Sequence, residues 1–433
     1  MTTASSGRFD AVLDPVLDSS FKGFPHQSLP LPCSLVGQQG WNVLAGDLPL
    51  PLAVIHRDVL QHNLRWMQDF ASTRGLQLAP HGKTSMSPQL FRRQLDAGAW
   101  GMTFASVTQA RTGIEAGVRV GLIANQVLAA TDLAAIDDLK RQHAGLRLLF
   151  LVDSLAQLEL IEAWRQVHAA SDAFEVLLEV GVPGGRSGCR SVAQALDLAR
   201  RLHHSAAVQL VGIECYEGLA ASGQTAADTN YVQPLMEDFQ ALAQACDAND
   251  WFDADEIVLT AGGSAVFDLV VPGLRQTLSR PVLGLLRSGC YITHDQGHYR
   301  RMMSAVADRT GCGTGLEAAL EVWALVQSCP EPGLAILAVG KRDISYDWAM
   351  PLPLKVCPRG TLNVHAAASD WCISKLNDQH AYLNGTGPEH AALQVGDRVC
   401  LGISHPCTTF DKWRWMPLVD AQYNVVDAIA TYF

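Results

Sequence analysis

From residue 77 to about residue 287 the chain alternates short apolar runs with stretches of helical spacing. The runs are QLAPH (77–81), GMTFA (101–105), VGLIA (120–124), RLLFLV (147–152), FEVLLEV (174–180), VQLVGIEC (208–215), EIVLTA (256–261) and PVLGLLR (281–287). Runs this uniformly apolar suit strands covered on both faces, which is the condition of a parallel sheet. Between them, SPQLFRRQLDAG and SVTQARTGIEAG each end in a glycine suited to a helix C-cap. SVAQALDLARRLHH and YVQPLMEDFQALAQACDAND read as longer amphipathic helices. Eight strand–helix units match a closed (β/α)8 barrel. A doubly wound open sheet is the rival, because counting strands does not prove closure.

The beat stops after about residue 315, and short alternating segments follow: LEVWALVQSC, GLAILAVGK, LPLKVC, HAYLNG and DRVCLGI. Gly, Pro and Asn punctuate them at hairpin-like intervals, which predicts a mostly antiparallel β domain. The domain plan is therefore an N-terminal segment 1–50 packing on the β domain, a barrel over 51–315, and the β domain over 316–433. A further strand-and-helix run, LAVIHRDVLQHNLRWMQDF (52–70), either starts the barrel region or connects it to the second domain.

Composition narrows the class. Hydrophobic residues are 48% and charged residues 17%, as in a folded chain rather than a disordered one. The net charge of −11, with no basic patch, argues against a nucleic-acid partner. No apolar stretch is long enough to span a bilayer, and the N-terminus lacks the apolar core of a secretory signal. The expected location is cytoplasmic. Eleven irregularly spaced cysteines without a CxxC pair do not form a disulfide framework, and most are expected to be buried small hydrophobes. Cys407 is treated as the exception.

Reacting groups of such barrels lie at the C-terminal ends of strands. Those ends carry His81-Gly82-Lys83-Thr84, Asn125-Gln126, Asp153, Gly184-Gly185-Arg186-Ser187-Gly188, Tyr216-Glu217-Gly218, Gly262-Gly263-Ser264 and Arg287-Ser288-Gly289. The Gly-Gly-Ser turn follows the seventh strand, where a phosphate commonly sits against backbone N–H groups. On its own it is equally a tight turn. Lys83 alone reads as a surface lysine; beside a phosphate loop at a barrel mouth, it reads as an amine poised to bond a cofactor aldehyde.

HGKT, GGRSG, YEG and GGS in combination resemble the fold-type III pyridoxal 5'-phosphate enzymes, and among them the D-serine dehydratase and D-threonine aldolase family. The resemblance covers about Leu52 to about Asp411. It implies that Lys83 bonds the cofactor and later acts as the base at Cα. It further implies that Gly262, Gly263 and Ser264 hold the phosphate, that Arg186 lies near the ring, that Tyr216 contacts ring or phosphate, and that Asn125 and Gln126 line the ring pocket. Near the C-terminus, Ser404-His405-Pro406-Cys407 is similar to the family's metal signature. His405 and Cys407 would bind a divalent ion, and the imidazole–thiolate pair favours zinc. Asp411 is a candidate further ligand. His294, Asp295 and His298 read as a satisfied loop, and Trp413 and Trp415 as packing or dimer-surface aromatics or walls of the substrate pocket.

The implied activity is a dehydratase that converts a D-3-hydroxy amino acid such as D-serine to a 2-oxo acid and ammonia. A retro-aldol lyase of D-threonine type is the near rival, and Cys407 in place of Asp is the feature that separates them. A non-catalytic pyridoxal-phosphate-binding protein is the rival of another class, disfavoured by the added β domain. The resemblance also implies a homodimer.

Overall fold

The computed structural model describes residues 11–168 and 172–433. Eight parallel strands, Gln77–Leu78, Met102–Phe104, Val120–Gln126, Arg147–Val152, Phe174–Val180, Val208–Cys215, Ile257–Ala261 and Val282–Leu286, lie at the eight runs that the apolar pattern marked. The first pairs with the eighth, and the ladder runs back from eighth to second. Between the first and second strands the Trp100 N–H donates to the Leu78 carbonyl and the Thr103 N–H to Pro80, both at 2.8 Å. A parallel bridge joins His81 to Thr103. The sheet thus closes on itself, and the open doubly wound alternative is excluded.

Closure explains the unbroken apolar runs. Inward side chains such as Leu122, Leu149, Leu177, Val211 and Leu285 fill the barrel axis. Their outward neighbours, including Ile123, Phe150, Leu178 and Ile213, pack beneath the helices. Three helices start on the same local device. Ser106, Ser154 and Ser191 cap Val107–Glu115, Leu155–Val167 and Val192–His203 by accepting the N–H of Gln109, Gln157 and Gln194. Each glutamine side chain reaches back to the N–H before its serine, on Ala105, Asp153 and Arg190. This is a variant of the reciprocal capping box, written Ser-x-x-Gln with the glutamine reaching one residue past the cap, and each serine cap is worth about 1 kcal/mol. It fixes where the loops of the second, fourth and fifth strands end.

The second domain is a ten-stranded sheet built around the long strand Leu320–Glu331. Arg398–Gly402 and Leu334–Leu337 flank it, both antiparallel. Leu52–His56 also pairs with it and, in parallel, with Trp415–Val419. The strand of the 52–70 run therefore belongs to the second sheet, and its helix Arg57–Ser72 leads into the barrel. Residues 11–50 run along this sheet: the Val43 N–H donates to Tyr423, and the Val425 N–H to Trp41. The first ten residues of the predicted N-terminal segment lie outside the described residues. Trp413 and Trp415 are fully buried, with their indole N–H groups on the carbonyls of Asp343 and Lys22. They are core residues, neither surface nor pocket aromatics. Among the described residues no helix is long and apolar enough to cross a membrane.

The β domain sits over the C-terminal rim of the barrel. The Gln296 N–H donates to Ile403, the Ile403 N–H returns to the Gln296 side chain, and the Tyr432 N–H donates to Met86. These contacts bring the loop Ser404-His405-Pro406-Cys407 down to the loops that follow the first and eighth strands.

Candidate active site

Lys83 occupies a single tight turn, Gly82–Thr84, directly after the first strand. A Cβ on Gly82 would lie 2.8 Å from Phe104 and 3.0 Å from Phe91, so only glycine lets the turn pack there. The lysine is exposed and lines a cleft at the barrel mouth. Asn125, Arg186, Tyr216, Gly262 and Gly263 line the same cleft. Six residues chosen from sequence thus converge on one cavity.

Gln126 and Ser264 do not line it. The Gln126 amide donates to Glu179, which also accepts the Ser187 hydroxyl at 2.7 Å, so Gln126 braces the glycine-rich loop. Ser264 accepts the N–H groups of Gly289 (3.3 Å) and Cys290 (3.1 Å), joining the seventh loop to the eighth. The Gly262 and Gly263 N–H groups both donate to the buried Glu217 carboxylate, at 3.0 and 2.6 Å. A Cβ on Gly263 would lie 2.8 Å from the Tyr216 ring. The double glycine therefore supplies close approach, while its donors are spent on Glu217.

His81, Glu214 and Arg287 complete the cleft and were passed over as roles in the sequence. The Arg287 guanidinium pairs with Glu214 and donates to the Thr260 hydroxyl at 2.7 Å. The second Glu214 oxygen and His81 Nδ1 are buried without a partner. Burial pushes the Glu214 carboxyl up to about 8, against the pull of Arg287. Burial, with the charges of Lys83, Arg287 and Arg186, holds the His81 imidazole well below its ordinary value. Arg186 lies over the Tyr216 ring, 5.1 Å from its centroid, and burial pushes that phenol up to about 12. Three cations, close glycine approach and two orphaned polar atoms suit an anionic group that offers hydrogen bonds. Pyridoxal 5'-phosphate fits that description.

Beside the turn that carries Lys83, His405 and Cys407 come together, and with them Cys290, one ligand atom from each lying within 4.8 Å of the others. The two sulfurs are 3.5 Å apart, and the Cys407 thiol lies 3.4 Å from the Thr84 hydroxyl. The hydrogen bond from Cys290, then His405, holds the Cys407 thiol well below its ordinary value. His405 Nδ1 is 2.5 Å from Asp347, and its ring stacks on Trp348 at 3.8 Å. Such a carboxylate partner fixes the tautomer of a ligating histidine and leaves Nε2 free. The donor set of imidazole and sulfur suits zinc.

Asp411 is not part of this cluster; it faces solvent and pairs with Lys412. The nearby acid is Asp347. The segment read as a satisfied loop borders the site: His298 packs 4.1 Å from Trp348, and the Tyr299 side chain hydrogen-bonds Cys290. Asp295 caps the helix His298–Thr310 through the Gly297 and Tyr299 N–H groups. Cys290 was missed as one more buried cysteine, although it directly follows Arg287-Ser288-Gly289 at a strand end. All eleven cysteines are free, as the spacing predicted.

Residues 55–286 match the family model of the alanine racemase N-terminal domain, and residues 319–419 match the "Putative serine dehydratase domain". The chain belongs to the D-serine dehydratase and D-threonine aldolase family, on the alanine racemase fold. Among family relatives, a D-threonine aldolase of Arthrobacter sp is 26% identical over 302 residues, 70% of this chain and 74% of that protein. A D-threo-3-hydroxyaspartate dehydratase of Delftia sp. (strain HT23) is 33% identical over 198 residues, 46% of this chain and 48% of that protein. The crystal structure of a D-threonine aldolase from Filomicrobium marinum superposes with a TM-score of 0.77 at 21% identity, covering 90% of this chain and 97% of that one. The Delftia dehydratase superposes at 0.71 with 23% identity, covering 90% and 99%. These superpositions establish the fold. A cysteine-to-alanine variant of a D-threo-3-hydroxyaspartate dehydratase was solved in a metal-free form.

Proposed function

We propose that this family member is a pyridoxal 5'-phosphate- and metal-dependent dehydratase that takes a D-3-hydroxy amino acid to a 2-oxo acid and ammonia. The observation that carries the reading is the meeting of two loops. Thr84, next to Lys83, touches Cys407, so the imidazole–thiol pair meets the same turn, Gly82–Thr84, that carries the amine into the cleft. Bound pyridoxal 5'-phosphate would supply an electron sink for charge at the substrate Cα. A divalent ion on His405 and Cys407 would supply Lewis-acid polarisation of a β-oxygen.

Lys83 would bond the cofactor and afterwards move the Cα proton. Arg186, Asn125 and Tyr216 would frame the ring, with Gln126 acting through Glu179 on the glycine-rich loop. Glu217 already occupies the Gly262 and Gly263 donors, so a phosphate would rest on their open face. It would be held through the Ser264 hydroxyl proton, the oxygen of that hydroxyl already accepting the Gly289 and Cys290 N–H groups. The acidic surface and the small cleft suit a small-molecule substrate. A homodimer and a cytoplasmic location complete the proposal.

Incubation with D-serine, D-threonine and D-threo-3-hydroxyaspartate, with assays for ammonia and 2-oxo acid, tests it. Ammonia in step with oxo acid is the expected result. Glycine plus an aldehyde would instead establish the retro-aldol reading. That second reading has its own support, since a 3-hydroxy-D-aspartate aldolase of Paracoccus denitrificans aligns over 85% of this chain and 88% of its own length at 23% identity.

A further inference from the structure

Cys290 sits in the turn Cys290–Ile292 after the eighth strand, 4% exposed, its N–H fixed on the Ser264 hydroxyl. Its sulfur faces the metal-ligating loop of the other domain. The 3.5 Å between Cys290 and Cys407 sulfurs is far beyond a disulfide bond of about 2.05 Å. It is close to the separation of about 3.8 Å that two Zn–S bonds of about 2.3 Å subtend at a tetrahedral angle. Asp347 holds His405 Nδ1 and Trp348 lies stacked on the ring, so Nε2 is the nitrogen left for an ion.

We propose that Cys290 is a third protein ligand of the ion held by His405 and Cys407, making a Cys2His set selective for zinc. The inference rests on the metal-dependent reading above and deepens it. Two soft sulfurs disfavour magnesium and manganese, which prefer oxygen donors. Three protein ligands leave a tetrahedral ion one open position, the arrangement of catalytic rather than structural zinc. That position is where a substrate β-oxygen would bind.

The test uses holoenzyme stripped of metal, kept reduced, and reloaded with cobalt(II). Wild type should show the near-ultraviolet thiolate-to-cobalt band. In Cys290→Ala that band should fall by about half, one of two thiolates being gone. Zinc dissociation against a chromophoric chelator should rise at least about tenfold. Cys372→Ala, an exposed cysteine, serves as the unchanged control. Zinc X-ray absorption on the wild-type protein, which needs no variant to fold, should count two sulfur neighbours. One sulfur neighbour there, or an unchanged band and affinity in folded Cys290→Ala, overturns the role of Cys290 while leaving His405 and Cys407 standing. No thiolate band in wild type, with cofactor bound, overturns the metal reading and this inference together.

Discussion

Two carboxylates are buried in this molecule under opposite terms. Glu321, in the second domain, lies 2.9 Å from His56 Nε2 and accepts from Lys355 and the Tyr423 hydroxyl, both at 2.8 Å, and from the Trp323 indole at 3.1 Å. Glu214, at the barrel mouth, pairs with Arg287 through one oxygen and leaves the other without a partner. Burial raises both, but His56 and Lys355 more than reverse it for Glu321 and hold it well below its ordinary value. Glu214 stays at about 8. The satisfied group is a structural joint between strands. The half-satisfied one marks a place shaped for something else to complete it.

The largest effect is expected from Lys83, which contributes to the cleft alone. Lys83→Ala should lower turnover by about 10²–10⁴-fold or more and remove the absorbance of lysine-bound cofactor. Urea denaturation should show stability within about 0.5 kcal/mol of wild type, as for an exposed side chain. Retained cofactor absorbance would break the assignment. The opposite pattern is expected from Glu321→Ala, a loss of about 3–5 kcal/mol for a broken buried pair, with cofactor binding kept in the folded fraction.

The two acids also predict opposite pH slopes. Glu321 has a depressed folded pKa, so its contribution is full above the ordinary glutamate value of about 4.3 and is lost as pH falls below it. Glu214 has a raised one, so its contribution is full below that value and is lost as pH rises towards about 8. Stability curves of Glu321→Gln should lose the acid limb, and those of Glu214→Gln the neutral one. A smaller change, within about 1.5 kcal/mol, is expected for Glu214→Gln, because the amide oxygen keeps a bond to Arg287. If that variant instead cost as much as Glu321→Ala, Glu214 would be a structural joint too. The smallest effect belongs to Asp411→Ala, within about 0.5 kcal/mol and without change in metal content measured by elemental analysis.

The barrel was legible because strands covered on both faces read as near-continuous apolar runs, interrupted in RLLFLV only by Arg147 and in FEVLLEV only by Glu175 and Glu179. Leu52–His56 was ambiguous, since its partner Leu320–Glu331 lies near the other end of the chain and local pattern carries no pairing. At the site, most residues tied to distinctive short motifs converge on one cleft. Partners brought together over long stretches of chain were not legible: Arg287 meets Glu214 across 73 positions, and His405 meets Asp347 across 58. Asp411 attracted attention by sequence proximity, which a helical turn, Cys407–Phe410, then directed away from His405. Cys290 was hidden by its own ordinariness, as a cysteine beside an apolar strand usually fills space.

The contact between Thr84 and Cys407 has a consequence for descent. The amine and the imidazole–thiol loop lie on different sheets, yet the cap is not one stretch of chain, because Leu52–His56, upstream of the barrel, pairs with Leu320–Glu331 and Trp415–Val419. A descendant that took only the residues beyond 320 from another parent would have to fit them to a strand left behind with the barrel. Single replacements on the cap loop avoid that mismatch, so point substitution is the easier route to a changed bond choice.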